Sequence, residues 1–197
     1  MWPQEREQTR RGPLCDAADY RSALFEKLVG TIERLGQSTR ILDLGAANPK
    51  GLNFWTSRGF SVSIHDLVTR PDDGKRFDFG PADLGGVLCW NALTMLSRER
   101  AVELVAAVRP RLVPGGVLFA IFDGDGRTLP APFQYRISSE SRLRIESTES
   151  EERPRAVSTA EIDRLFGSFK PTRVTVMRHG SREALGHAPD PMRSERV

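Results

Sequence analysis

From residue 17 onward the apolar positions Tyr20, Leu24, Leu28, Ile32 and Leu35 recur three or four residues apart. That period predicts a helix from Ala17 to Leu35, with Asp16 as its N-cap and Gly36 closing it. A short apolar run, Ile41-Leu42-Asp43-Leu44, follows and breaks at Gly45-Ala46-Ala47 and Asn48-Pro49. A second helical stretch then carries Leu52, Phe54 and Trp55 and stops at Gly59. Ser61 to Ile64 and Gly86 to Trp90 read as further strands. Ser97 to Pro110 has Val102, Leu104, Val105 and Val108 among charges and reads as a crossover helix. After Pro114-Gly115-Gly116 comes the most apolar strand, Val117 to Phe122. Strands alternating with helices imply a parallel sheet covered on both faces.

The pattern changes beyond this point. Phe133 to Ile137 and Arg142 to Glu146 have a period of two and predict a hairpin or an insert over one sheet edge, either a flap over a site or a sheet extension with an aromatic core contact. Ser158-Thr159-Ala160-Glu161 is a helix-capping sequence before Ile162, Leu165 and Phe166, and Arg173 to Met177 with Arg182 to His187 form a last pair of strands. Glu146 to Arg155 reads as an exposed charged loop. Residues 1–16 and 189–197 lack any apolar period and read as flexible tails. Between Asp66 and Gly86 lie only nineteen residues, too few for a full crossover helix, another strand and a second connection. Lys75-Arg76-Phe77-Asp78-Phe79 is the remnant available for that strand.

Composition narrows the function classes. The 197 residues are 39% hydrophobic and 28% charged, which suits one core. The net charge of +3 is a small imbalance that gives nucleic acid binding no support, and the longest apolar run is far below a membrane span. Cys15 and Cys89 are too few for a disulfide framework or a cysteine-rich zinc site, so a reducing, cytoplasmic setting is expected. Asp123 and Asp125, flanked by Gly124 and Gly126, lack the spacing of a calcium loop and read as turn residues, leaving no metal site. Nothing in the chain marks an oligomeric state.

The informative constellation is Asp43-Leu44-Gly45-Ala46-Ala47 with Asp66 at the end of the next strand. In open parallel sheets ligands bind beyond the carboxyl ends of the strands. Small turn residues let a ligand approach the backbone, and Asp66 is placed to accept hydrogen bonds from a ribose diol. The competing reading is a bare strand-turn-helix in which Gly45 and the alanines serve close packing alone. Against it stands Asp43, since an acid at the end of a buried strand is costly without a role. The dinucleotide fingerprint G-x-G-x-x-G is absent, and so is a P-loop.

On these residues the sequence resembles the class I S-adenosylmethionine-dependent methyltransferase family. Asp43 to Ala47 match its glycine-rich first motif, Asp66 its ribose-binding acid, Val87 to Asn91 its fourth strand and loop, and Leu112 to Leu118 the turn before its fifth strand. Arg173 to His187 resemble its reversed terminal hairpin. The resemblance covers about residues 17–188. It implies a Rossmann-like α/β fold with a mostly parallel seven-stranded sheet and an antiparallel C-terminal hairpin. It also implies S-adenosylmethionine as cofactor, S-adenosylhomocysteine as product, and a small-molecule or protein acceptor. Carried over, Asp43, Gly45, Ala46 and Ala47 would meet the methionine portion, Asp66 and Leu67 the ribose side, Asp78 and Phe79 the adenine, and Trp90 and Asn91 the transferred methyl.

The motif departs from the family where its later glycines would stand: Ala47 and Pro49 take their places. A second expectation follows, a non-catalytic relative serving as a binding or scaffold protein with a degenerate cofactor site. No side chain stands out as a base. His65, His179 and His187 read as structural, and Cys89 as a packed thiol inside an apolar strand.

Overall fold

The computed structural model describes residues 18–45, 49–67, 76–122, 133–147, 154–177 and 180–190. In chain order these form β1 (Ala18–Arg21), α1 (Ala23–Leu35), β2 (Arg40–Asp43), α2 (Pro49–Thr56), β3 (Ser61–Ile64) and β4 (Leu84–Trp90). Then come α3 (Ala92–Met95), α4 (Arg98–Val108), β5 (Leu112–Phe122), β6 (Phe133–Ser139) and β7 (Arg142–Ser147). The last elements are α5 (Thr159–Leu165), β8 (Thr172–Val176) and β9 (Arg182–His187). A central sheet has the order β3-β2-β4-β5-β9-β8, and a separate sheet has the order β1-β7-β6. β3, β2, β4 and β5 pair parallel, while β9 and β8 run antiparallel.

The parallel strands β2 and β4 are buried over most of their length because both faces are covered, whereas the edge strand β3 is only partly buried. All seven residues of β4 are buried. On one face Leu42, Leu44, Val87, Leu118 and Ala120 pack beneath α4 and α5 through Leu104, Val108, Ile162 and Phe166. On the other, Ile41, Leu88, Phe119 and Ile121 meet α1 and α2 through Phe25, Leu28, Ile32 and Trp55. A fully buried side chain of that size is worth about 2–3 kcal/mol, so these two layers hold the C-terminal ends of β2 and β4 side by side.

The amino-terminal helix begins later than its stripe predicts. Residues 18–21 form a strand, with Tyr20 opposite Leu143, and the helix starts at Ala23. Ser22 is the N-cap: its Oγ accepts from the Phe25 amide at 2.9 Å and donates to the buried Glu183 carboxylate at 2.6 Å. Tyr20 Oη donates to the other Glu183 oxygen at 2.9 Å. A buried acid across the sheet therefore fixes where the helix begins, information a periodicity cannot carry; Asp16 lies outside the described residues. Burial raises the Glu183 pKa, and its two hydroxyl donors oppose that. Ser22→Ala removes a cap and a donor together and is expected to cost about 2 kcal/mol in urea unfolding. Because the lost donor served the ionised carboxylate, the cost should be larger at pH 8 than at pH 4.

The sheet also departs from seven strands. Among the described residues the central sheet has six, and no strand lies between β3 and β4. Residues 76–83 carry no helix or strand. Phe79 is instead buried among Leu42, Leu44 and Leu84, while Arg40 donates to the Phe79 carbonyl at 2.7 Å and to Asp83 at 2.9 Å. The connection was too short for strand and crossovers, and one arginine side chain ties it to the sheet.

The insert does not extend the central sheet, but it makes the expected aromatic core contact, with Tyr135 buried and stacked on Trp90. β6 and β7 pair with each other and β7 with β1. Tyr135, Ile137, Leu143 and Ile145 bury their inner faces in the α1–α2 layer. Pro114 to Gly116 lie within β5, whose register slips at that point, so the proline-glycine sequence makes a bulge and not a turn ahead of the strand. The stretch from Glu146 to Arg155 is not wholly an exposed loop either: Glu146 belongs to β7 and Arg155 is turned inward, while residues 148–153 lie outside the described residues. Among the described residues no helix is long and apolar enough to cross a membrane.

Candidate functional site

The C-terminal ends of β2, β3 and β4 meet at one edge of the sheet. Asp43 closes β2, and its main-chain oxygen accepts from the His65 amide at 2.8 Å, which sets Asp66 beside it at the end of β3. The Leu44 amide donates to the Leu88 carbonyl at 2.8 Å and holds β2 against β4. The Asp43 carboxylate is buried, 7% exposed, and accepts from the Gly45 amide at 3.0 Å and from the Trp90 indole. Burial pushes its pKa up to about 6; the two donors resist, and the nearby Asp66 carboxylate adds to the rise. A buried acid with so perturbed a pKa at the mouth of an α/β sheet is a functional-site signature.

Trp90 is the residue whose role was not legible. Its indole lies 5.8 Å from the Phe119 ring, 6.2 Å from Phe25, and stacks on Tyr135 at 6.4 Å with a 15° interplanar angle. It also covers one side of Gly45, where a Cβ would fall 2.4 Å from Trp90 Cδ1 and 2.9 Å from Trp90 Cβ. The packing reason for Gly45 is therefore real. A tryptophan ending the apolar run GVLCW was the signal available.

Asn91 is buried and takes a left-handed backbone, φ 56°, directly after β4. Its carbonyl accepts from Thr94 Oγ1 at 2.7 Å and from the Thr94 amide at 2.9 Å, which turns the chain into α3. Leu67 is half-buried and packs against the α4 layer. Phe79 is 4% exposed, its ring edge-on to His65 at 5.3 Å, while Asp78 is exposed and accepts from the Gly80 amide at 3.1 Å. The structure thus gathers Asp43, Gly45, Asp66, Trp90 and Asn91 at one edge. It puts Phe79 in the core below His65 and leaves Asp78 outside. Ala46 and Ala47 lie outside the described residues, as do Asp123 and Asp125.

The remaining chemistry is limited. Burial pushes the Cys89 thiol up to about 12, consistent with packing and not nucleophilic attack. Partial burial and the Arg40 guanidinium hold the His65 pKa down, with Asp78 opposing. Among the described residues no group of three or more His, Cys, Asp or Glu could hold a metal ion.

The comparison with solved structures decides the architecture. The Burkholderia thailandensis 1,6-didemethyltoxoflavin-N1-methyltransferase, solved with bound 1,6-didemethyltoxoflavin and S-adenosylhomocysteine, superposes with a TM-score of 0.53 at 18% identity, covering 85% of this chain and 79% of that one. The chain has the class I methyltransferase fold. An S-adenosylmethionine-dependent methyltransferase of Methanosarcina mazei matches with a TM-score of 0.54 at 15% identity, over 81% of this chain and 97% of the other. The Haemonchus contortus phosphoethanolamine N-methyltransferase 2, in complex with S-adenosyl-L-methionine, matches with a TM-score of 0.54 at 13% identity, over 83% of this chain and 52% of that one. No family model and no curated protein matches the chain. In the central sheet β3 is an edge strand and β2 lies between it and β4; Asp43 ends β2 and Asp66 follows β3.

Proposed function

We propose that the protein transfers a methyl group from S-adenosylmethionine to a small molecule or a protein side chain, releasing S-adenosylhomocysteine. The observation that carries the reading is the pair of acids at neighbouring strand ends, one buried with its pKa near 6 and one half-buried. The donor set fits the cofactor: it offers hydrogen-bond acceptors for a diol and an ammonium group and, at the half-buried Leu67, apolar surface beside them.

In this reading Asp66 accepts hydrogen bonds from the ribose hydroxyls. Asp43, through its bond to the Gly45 amide, braces the turn that holds the amino-acid arm, and Ala46 and Ala47 are the small residues that approach it. Leu67 flanks the adenine; Phe79 lies in the core and Asp78 outside the gathered residues. Trp90 and Asn91 border the reacting methyl. The bound cofactor supplies a methyl group activated by a sulfonium. The chain's part is to align the acceptor in line with it and to exclude water, a contribution that needs no general base.

Calorimetric titration with S-adenosylmethionine and S-adenosylhomocysteine tests this. Micromolar binding is expected, weakened at least tenfold in Asp66→Ala, the scale of losing hydrogen bonds to a charged group. No heat and no thermal shift with either ligand would instead leave a scaffold protein on a methyltransferase fold.

A further inference from the structure

Arg155 stands well outside the site, in the segment leading to α5, yet it grips the turn that follows β4. Its main-chain amide donates to the Thr94 carbonyl at 2.9 Å. Its guanidinium donates from Nε to the Leu96 carbonyl at 2.7 Å and from Nη2 to the Leu93 carbonyl at 3.2 Å. These carbonyls end the single turn α3, where a helix leaves its last acceptors unsatisfied. The fourth donor, Nη1, goes to Glu161 Oε1. Glu161 is 7% exposed, and its second oxygen lies 3.5 Å from Arg98 Nε. The capping sequence at Ser158 suggested that Glu161 would turn back on its own helix; its carboxylate is spent on Arg155 instead.

We infer that Arg155 is a positioning residue, which sets the backbone of Asn91 and the seat of Trp90 by holding α3 from behind. The path is short. Asn91 keeps its left-handed backbone because its carbonyl is held by Thr94 and Met95 within α3, and α3 has its far end fixed by Arg155. Asparagine tolerates the left-handed region better than other non-glycine residues, and the bonds from Thr94 and Met95 to its carbonyl select that conformation here. A guanidinium is suited to this task since its planar fork reaches two carbonyls and a carboxylate at once, which an ammonium cannot do. The segment is itself anchored, with Arg182 donating to the Val157 carbonyl and Val157 buried. The consequence for ligand binding rests on the cofactor reading given above; the consequence for the Asn91 turn does not.

The test compares Arg155→Met, Arg155→Lys and the core truncation Leu165→Ala in the full chain. Two signals are read: S-adenosylhomocysteine affinity by calorimetry, and the Trp90 indole N–H resonance with amide exchange at Thr94 and Met95 by NMR. Arg155→Met is expected to weaken binding about tenfold, displace the indole resonance and speed exchange at both amides. Arg155→Lys should recover part of each. Leu165→Ala should lose stability and leave affinity and resonance in place. Wild-type affinity with an unmoved resonance in Arg155→Met overturns the inference. If Arg155→Met does not fold, Glu161→Gln takes its place, with about threefold weaker binding expected and an unchanged affinity and resonance overturning the claim. If the wild type takes up no cofactor, the methyl-transfer reading fails, and resonance and exchange alone decide the role of Arg155.

Discussion

Asp43→Asn is expected to make the protein more stable at pH 8. In the folded protein the carboxyl is raised from an ordinary 3.8 to about 6, with burial as the main cause. An acid raised on folding contributes stability that is complete below its unfolded pKa and lost as pH rises through its folded one. For Asp43 the loss runs from about pH 4 to just above pH 6 and amounts to about 3 kcal/mol. Asparagine is neutral throughout and its oxygen still accepts from the Gly45 amide. It has one acceptor where the carboxylate has two, so the net gain at pH 8 is expected between about 1 and about 3 kcal/mol. That is a rise of roughly 5 °C in Tm, shrinking to nothing at pH 4. Glu183, also raised by burial, stays in the variant and keeps a shallower fall in the same direction. Paired melts at pH 4 and pH 8 measure the effect. Equal Tm differences at both would show that the buried charge is not what destabilises the wild type. A residue that weakens the fold where it stands and binds ligand is the signature of a site kept for function.

Asp43 could be singled out before the structure because its cost follows from local pattern: an acid terminating an apolar parallel strand. The strand ends and the crossover helix α4, from its Ser97 cap to Val108, were legible for the same reason. What escaped were facts of tertiary contact. Tyr20 falls on a helical stripe and yet sits in a strand, because Glu183, more than 160 residues away, takes its hydroxyl. Arg155 sits in a charge-balanced stretch that looks solvated, and only the fold brings it to the carbonyls of α3. The shortage of residues between Asp66 and Gly86 left Lys75 to Phe79 as a strand remnant, but residues 76–79 form no strand and Phe79 fills the core instead. Gly45 was read for what it lets a ligand do. The structure adds what it lets Trp90 do.

That double use of Gly45 makes Gly45→Ala the most damaging small substitution at the site. The backbone there is not in the left-handed region, so alanine meets a packing obstacle and no conformational one. Its methyl would lie 2.4 Å from Trp90 Cδ1, and Trp90 cannot swing away while Phe25, Phe119 and Tyr135 enclose it. Overpacking of this kind costs about 3 kcal/mol. Trp90→Leu alone should cost a similar amount through its cavity and would take a donor from Asp43, raising that acid further. In the double variant the ring clash is gone, but a side-chain Cβ still stands where Trp90 Cβ does, 2.9 Å from the added methyl. The two losses should therefore fall short of additivity by about 1–2 kcal/mol. Urea unfolding of the four proteins measures this coupling. Strict additivity would mean that indole and glycine are independent, and that Gly45 is small only for the ligand.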